Sequence, residues 1–153
     1  REDVLPAGEI AYMKECENNG NWDNQRYQDD VQVLNKNFVD RKQPSKLDHV
    51  KSLDGDAVYH AFQGDNEFVI TGKLADWHFT DQLHNIKVPT LLTFGEHETM
   101  PLSAARRMEK LIPNSKLVTT PNGGHHHMLD NPDVYYKHLA DFIRQVENNT
   151  FNQ

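Results

Sequence analysis

The stretches "VPTLLTFGEHETMP" (residues 88–101) and "SKLVTTPNGGHHH" (residues 115–127) decide the fold. The first begins with a short apolar run between Pro89 and Gly95, as expected of a strand that is buried on both faces of a parallel sheet. The second begins with another strand pattern and ends in three histidines. A helical pattern that a proline opens follows each strand, so the order is strand, helix, strand, helix. This order predicts the closing part of an open α/β sheet.

The two helices of this region each show an apolar face. The first opens at Pro101, and we expect it to end before Pro113 and to bury Leu102, Ala105, Met108 and Leu111. The second opens at Pro132, and we expect the following side chains to point inward: Val134, Leu139, Phe142, Ile143 and Val146. Two strands cannot form an independently stable sheet of this kind, so the region needs further strands.

The residues before this region are polar and helical in pattern. A helix is predicted from Ala7 to Asn18, where Asn19-Gly20 ends it. A second helix is expected from Asp23, as its N-cap, with an apolar stripe at steps of four, three and four: Tyr27, Val31, Leu34 and Phe38. A polar connector (residues 41–56) with one or two helical turns and a short helix with Val58, Tyr59 and Phe62 should follow, and we expect Trp77 to lie in the core. We therefore predict a helical cap over residues 1–75 and part of an α/β core over residues 76–153.

The composition indicates a globular protein and excludes several classes of partner. The 153 residues are 37% hydrophobic and 25% charged, with a net charge of −7 that argues against binding to nucleic acid or anionic lipid. No run of about 18 apolar residues occurs, so we expect no membrane span. A single cysteine, Cys16, excludes an internal disulfide and fits a reducing compartment, so we expect a cytoplasmic protein. The chain starts with neither Met nor a signal peptide, and we expect an upstream segment.

Ionisable residues follow both predicted strands. Glu96, His97 and Glu98 follow the first strand, and a run of three histidines (residues 125–127) follows the second. Functional groups in open α/β sheets gather in such loops, and an acid beside a histidine can orient an imidazole as a general base. A metal site is the main alternative, but three consecutive loop residues point in divergent directions. We therefore predict one working histidine and no bound metal or other cofactor.

The order of acid and histidine is that of an α/β-hydrolase triad, but no nucleophile accompanies them. α/β-Hydrolases carry the nucleophile in a G-x-S-x-G turn before the acid. The four serines of this sequence, Ser45, Ser52, Ser103 and Ser115, all lack flanking glycines. None of them can be assigned the role of nucleophile.

Two longer stretches resemble the proline iminopeptidases, which are serine aminopeptidases of the α/β-hydrolase fold. These are "VYHAFQGDNEFVITGKLADWHFTDQLHNIKVPTLLTFGEHETMP" (residues 58–101) and "PNGGHHHMLDNP" (residues 121–132). The N-E-F-x-x-T-G and D-W-x-x-T-D segments are specific to this group, whereas the G-E-x-E and G-H loops occur in α/β-hydrolases at large. The family's H-G-G-P-G loop and its serine turn are absent from this sequence. The resemblance implies the cap and C-terminal core of a longer enzyme, with the nucleophile in a missing N-terminal half.

The resemblance also implies roles for four residues. His125 matches the catalytic histidine, and Glu67 matches the carboxylate that binds the free amino or imino group of a peptide or amino-acid amide substrate. Tyr59 matches a tyrosine that lines the same pocket. Glu98 lies where the triad acid is expected, although the family usually has Asp there in a loop one residue longer. Glu98 is therefore either the triad acid, which we favour, or the neighbouring substrate carboxylate.

Two other functions remain open from the sequence. A different α/β-hydrolase, such as an amino-acid amidase or an esterase, would use the same acid and histidine. A non-enzymatic fragment that binds a metal or a protein partner would use the histidine loop instead. Since the sequence contains no suitable serine, we expect the chain to be inactive alone.

Overall fold

The structure is a computed structural model that describes residues 1–43 and 55–151. Residues 44–54 of the expected polar connector lie outside the described residues. In chain order the helices and strands are α1 (Ala7–Asn19), α2 (Gln25–Phe38), α3 (Asp56–Phe62), β1 (Thr90–Gly95), α4 (Leu102–Leu111), β2 (Ser115–Thr120), α5 (His127–Asp130) and α6 (Pro132–Glu147). Two 3₁₀ turns, Lys73–Asp76 and Thr80–Asn85, precede β1. The expected strands and longer helices are confirmed, and the short α5 was not predicted.

Local signals in the sequence set the ends of α1 and α2. Gly20 ends α1 in the left-handed region (φ 66°), where a residue without a Cβ is favoured, and the Asn21 amide donates to the Cys16 carbonyl at 2.9 Å. Asn24 caps α2, because its side chain accepts from the Tyr27 amide at 3.2 Å. The expectation of Asp23 as this cap was wrong by one residue, since the Asn24 side chain has the reach to the Tyr27 amide.

The first hydrophobic core lies between α1 and α2. The predicted stripe of α2 forms one side of it, with Tyr27, Val31 and Leu34 buried and Phe38 packed at the edge. The other buried members come from the opening segment and α1: Leu5, Ile10, Met13 and Cys16. The helical pattern of the sequence therefore predicts this packing correctly.

The second core lies between the sheet and α4. Strands β1 and β2 pair in parallel, with a register that runs from Thr90 opposite Ser115 to Gly95 opposite Thr120. Its buried residues are Leu92, Phe94, Ala105 and Ile112. Helix α6 covers the other sheet face only in part, so β1 is not buried on both faces as predicted.

One aliphatic and one aromatic side chain that we expected in the interior are exposed. Ile143 is 46% exposed, although Leu139 and Val146 on the same side of α6 are half-buried, because α6 covers the sheet only in part. Trp77, which we expected in the core, stacks on exposed Phe79 at 4.8 Å between ring centroids. Within the described residues, the helices include none that is both long and apolar enough to cross a bilayer.

Candidate active site

The loops after β1 and β2 meet at the carboxyl ends of the two strands. The Glu96 amide donates to the Thr120 carbonyl at 3.0 Å, and the His97 amide donates to the Gly123 carbonyl at 2.9 Å. The Glu96 carboxylate in turn accepts from the Asn122 amide at 2.9 Å. These bonds hold the acid loop directly against the histidine loop, as the alternating strand and helix pattern predicts.

The structure brings His125 and Glu98 together. The distance between His125 Nδ1 and Glu98 Oε1 is 2.7 Å, and the imidazole is 38% exposed whereas the carboxylate is 4% exposed. The amide and the hydroxyl of Thr99 donate to the same carboxylate oxygen, at 2.9 and 3.0 Å. A buried carboxylate with several donors holds a fixed orientation, and it thereby fixes the ring that it contacts.

The charges of this pair reinforce each other. Burial raises the pKa of Glu98, but hydrogen bonds from His125 and Thr99 outweigh it and leave that pKa below its usual value. The hydrogen bond to Glu98 raises the pKa of His125, burial opposes it, and the charges of Glu98, Glu67 and Asp40 raise it further. The pair therefore stabilises the imidazolium that forms when the His125 ring accepts a proton, as the acid partner of a general base does.

Glu67 and Tyr59 form a second pair on the helical side of the site. Tyr59 lies on α3 and its hydroxyl donates to Glu67 Oε1 at 2.9 Å. Burial, followed by the hydrogen bond and the charge of Glu67, raises the pKa of Tyr59. The Glu67 side chain is exposed, and its negative charge contributes to raising the pKa of His125.

A cavity of about 280 Å³ lies beside Glu98. Phe38 and Phe68 form apolar parts of its wall, and Thr99 and Pro101 continue the wall beyond Glu98. Arg1 and Asp3 line its remaining side. Of the four predicted site residues, Glu98 lines this recess, whose walls are both apolar and charged.

The other two histidines of the run have partners of their own. His126 Nδ1 lies 2.7 Å from Asp40 Oδ1, and the buried His127 has Nε2 at 3.0 Å from Thr93 Oγ1. Across residues 1–43 and 55–151, no group of three His, Cys, Asp or Glu side chains is arranged to hold a metal ion. Sequence reasoning missed Asp40 and Thr93, because no local pattern links either residue to the histidine run.

Comparisons with known proteins extend these observations. The chain is 32% identical to a proline iminopeptidase of Saccharolobus solfataricus over 145 residues, which cover 93% of the chain and 47% of the relative. It is also 32% identical to a proline iminopeptidase of Thermoplasma volcanium, over 94% of the chain and 50% of the relative. No family model matches the chain. The chain spans about half the length of these curated relatives.

Solved structures show the same likeness. The crystal structure of a Mycobacterium smegmatis proline iminopeptidase superposes with a TM-score of 0.79 at 28% identity, over 92% of this chain and 48% of that one. The crystal structure of VinJ superposes with a TM-score of 0.84 at 23% identity, over 94% of this chain and 50% of that one, which supports the fold alone.

Proposed function

Because the chain belongs to the proline iminopeptidase family of α/β-hydrolases, we propose that it is the C-terminal part of a serine aminopeptidase that releases an N-terminal proline or a similar residue from peptides. The observation that carries the proposal is the contact of 2.7 Å between His125 Nδ1 and Glu98 Oε1 at the carboxyl edge of the sheet. This is the relation that a general base and its orienting acid require.

In this proposal His125 is the general base and Glu98 is the triad acid. Glu98 occupies Nδ1, so Nε2 remains to receive a proton from a serine hydroxyl that the other half of the enzyme supplies. The serine oxygen attacks the amide carbonyl, and His125 then returns the proton to the departing amine. Water attacks the resulting ester in a second step with the same base. The direct contact with His125 favours Glu98 as the triad acid over a role in substrate binding.

Glu67 is proposed to bind the charged amino or imino terminus of the substrate, and Tyr59 to hold Glu67 in place. An exposed carboxylate whose charge acts on His125 can neutralise a substrate cation close to the scissile bond. An internal peptide bond offers no cation to offset the cost of desolvating this carboxylate. The pair therefore favours release of single N-terminal residues from peptides or amino-acid amides.

The test is hydrolysis of a proline arylamide by the full-length protein that carries this sequence. We expect His125→Ala to lower kcat by at least about 10³-fold, in keeping with loss of the base of a triad. His84→Ala is the matched control, because His84 is an exposed histidine on the Thr80–Asn85 turn. Equal rates for the two variants would contradict the proposal.

Parallel assays separate the other functions. Amides of alanine and leucine and simple esters would reveal an amidase or an esterase that uses the same pair. A metal-binding fragment would retain stoichiometric zinc after dialysis and would lose it in His126→Ala. The separate partner of each histidine argues against that alternative.

A further inference from the structure

The loop that carries His125 is fastened to the C-terminal end of α2. The His125 amide donates to the Phe38 carbonyl at 2.7 Å, and the His126 amide donates to the Val39 carbonyl at 3.0 Å. Carbonyls at the end of a helix have no partner within the helix, so the loop amides satisfy two of them. A Cβ at Gly124 would lie 2.8 Å from both carbonyl oxygens, and this close approach therefore requires glycine.

Side chains add to this connection between the histidine loop and the end of α2, which we call the joint. Asp130 accepts from the Lys42 amide at 2.7 Å and from the Gly124 amide at 2.8 Å, which bridges the segment after α2 to the loop. Arg41 Nε donates to the Asn122 carbonyl at 3.1 Å. The joint thus links residues that are more than 80 positions apart in the chain.

A contact between two side chains of the joint connects His126 to Asp40. The Nδ1 to Oδ1 distance is 2.7 Å, with side chains that are 31% and 25% exposed. The neighbouring residues His125 and His126 therefore contact two different acids, Glu98 and Asp40. The centroids of the two imidazole rings lie 5.4 Å apart. The mechanism proposed above uses only the first of these pairs.

We propose that Asp40 and His126 are positioning residues, which hold the loop of His125 on the end of α2 and couple the geometry of this base to the helical region that precedes the sheet. This inference rests on the proposed function for its effect on catalysis. The pair adds a side-chain contact between the loop and the residues after α2, so the backbone of His125 is held at the end of α2 while its ring is held by Glu98. Loss of the pair leaves the Glu98 contact intact but frees the loop that carries the ring.

The charge of Asp40 affects the pKa of His125, and a role in loop stability alone would not produce this effect. Three acids act on His125, each from a different segment: Glu98 after β1, Glu67 after α3 and Asp40 after α2. Asp40→Asn retains an oxygen that can accept from His126 but removes one of these charges. We therefore expect Asp40→Asn to lower the pKa of His125, and we expect His126→Ala, which leaves the carboxylate in place, not to lower it.

The experiment uses the full-length protein with histidine-selective NMR labelling, amide hydrogen exchange and steady-state hydrolysis of a proline arylamide. In His126→Ala we expect the His125 amide to exchange faster and kcat to fall roughly tenfold, with KM changed less than about threefold. His126→Asn, whose amide nitrogen can donate to Asp40, should recover most of this loss. His84→Ala is the control, and both His126→Asn and Asp40→Asn decide the question if His126→Ala does not fold.

The outcomes separate the two proposals. Faster exchange at His125 in His126→Ala, with a lowered pKa of His125 in Asp40→Asn, supports the positioning role even if the wild type does not cleave the arylamide. Exchange, titration and kcat that match those of His84→Ala in every variant would overturn the positioning role. A failure of the proposed peptidase function would appear instead as a wild-type protein without hydrolysis.

Discussion

Gly95 ends β1 where the acid loop touches the histidine loop, and its replacement by alanine tests whether this close approach sets the catalytic geometry. A Cβ at Gly95 would lie 2.2 Å from the Gly124 carbonyl oxygen and 2.4 Å from that of Gly123. Both atoms belong to the backbone, so no side-chain rotation can relieve the overlap. The histidine loop must therefore move by roughly 1 Å before the contact reaches an ordinary distance.

A shift of this size separates His125 from its proposed nucleophile. We expect kcat/KM of full-length Gly95→Ala for a proline arylamide to fall about 30- to 100-fold, because misplacement of a catalytic group by about 1 Å has a cost of this order. Overpacking should also lower the free energy of unfolding by about 1–3 kcal/mol.

The matched control is Gly8→Ala, in the first turn of α1. A Cβ at Gly8 meets nothing within 4 Å, so this variant should keep full activity and gain up to about 1 kcal/mol of stability from the better helix former. Activity and chemical denaturation of the two variants are compared at one pH. A Gly95→Ala protein that matches Gly8→Ala in activity would refute the reasoning from loop contact.

Four further variants test the site and the helical core. Glu98→Gln should lower the pKa of His125 and slow hydrolysis. The raised pKa of His125 gives stability that is fully present below the ordinary value of 6.5 and is lost as pH rises through the raised value of the folded state. The lowered pKa of Glu98 gives stability that is present above the ordinary value of 4.5 and is lost as pH falls through the lowered value of the folded state. We therefore expect the free energies of unfolding of Glu98→Gln and the wild type to differ most between pH 4.5 and pH 6.5. A difference that does not change with pH would contradict the ion pair. Glu67→Gln should raise KM for substrates with a free amino terminus about tenfold or more, and Tyr59→Phe should raise it less, as initial rates would show. Leu34→Ala removes a fully buried side chain and should cost about 2–5 kcal/mol of unfolding free energy in urea, whereas a loss below about 1 kcal/mol would show a core that collapses around the gap.

The sequence predicts those parts of the fold that local periodicity and end signals determine. The stripe of Tyr27 and Leu34 on α2 and the end of α1 at Gly20 are such features, and both are confirmed. Local periodicity does not predict the exposure of Trp77, a large aromatic residue that was expected inside and is exposed. Hydrophobicity identifies a side chain that benefits from burial, but contacts from distant segments determine whether anything covers it.

The candidate site likewise has one contact that the sequence predicts and one that it does not. The order of acid and histidine after two neighbouring strands placed Glu98 near His125, since parallel strands bring their carboxyl ends to one edge. The contact between His126 and Asp40 could not be predicted, because 86 positions separate the two residues and only the docking of α2 brings them together. The contribution of the helical region to the histidine loop is thus a tertiary property without a local sequence signal.

The three consecutive histidines show how identical neighbours acquire different chemistry. Backbone contacts to α2 fix the first two amides, and each ring then points toward a different segment: His125 to the acid loop, His126 to the end of α2 and His127 into the sheet at Thr93. The carbonyls of Gly124 and His125 lie 3.2 Å from His127 Nδ1, which must therefore donate, so that Nε2 accepts from the Thr93 hydroxyl. Because His127 is buried and both of its ring nitrogens have partners, it cannot exchange roles with its neighbour. Of the three rings, His125 combines a buried acid at Nδ1 with partial exposure and with a pKa that the charge of Glu67 helps to raise, and this combination suits a general base for a cationic substrate.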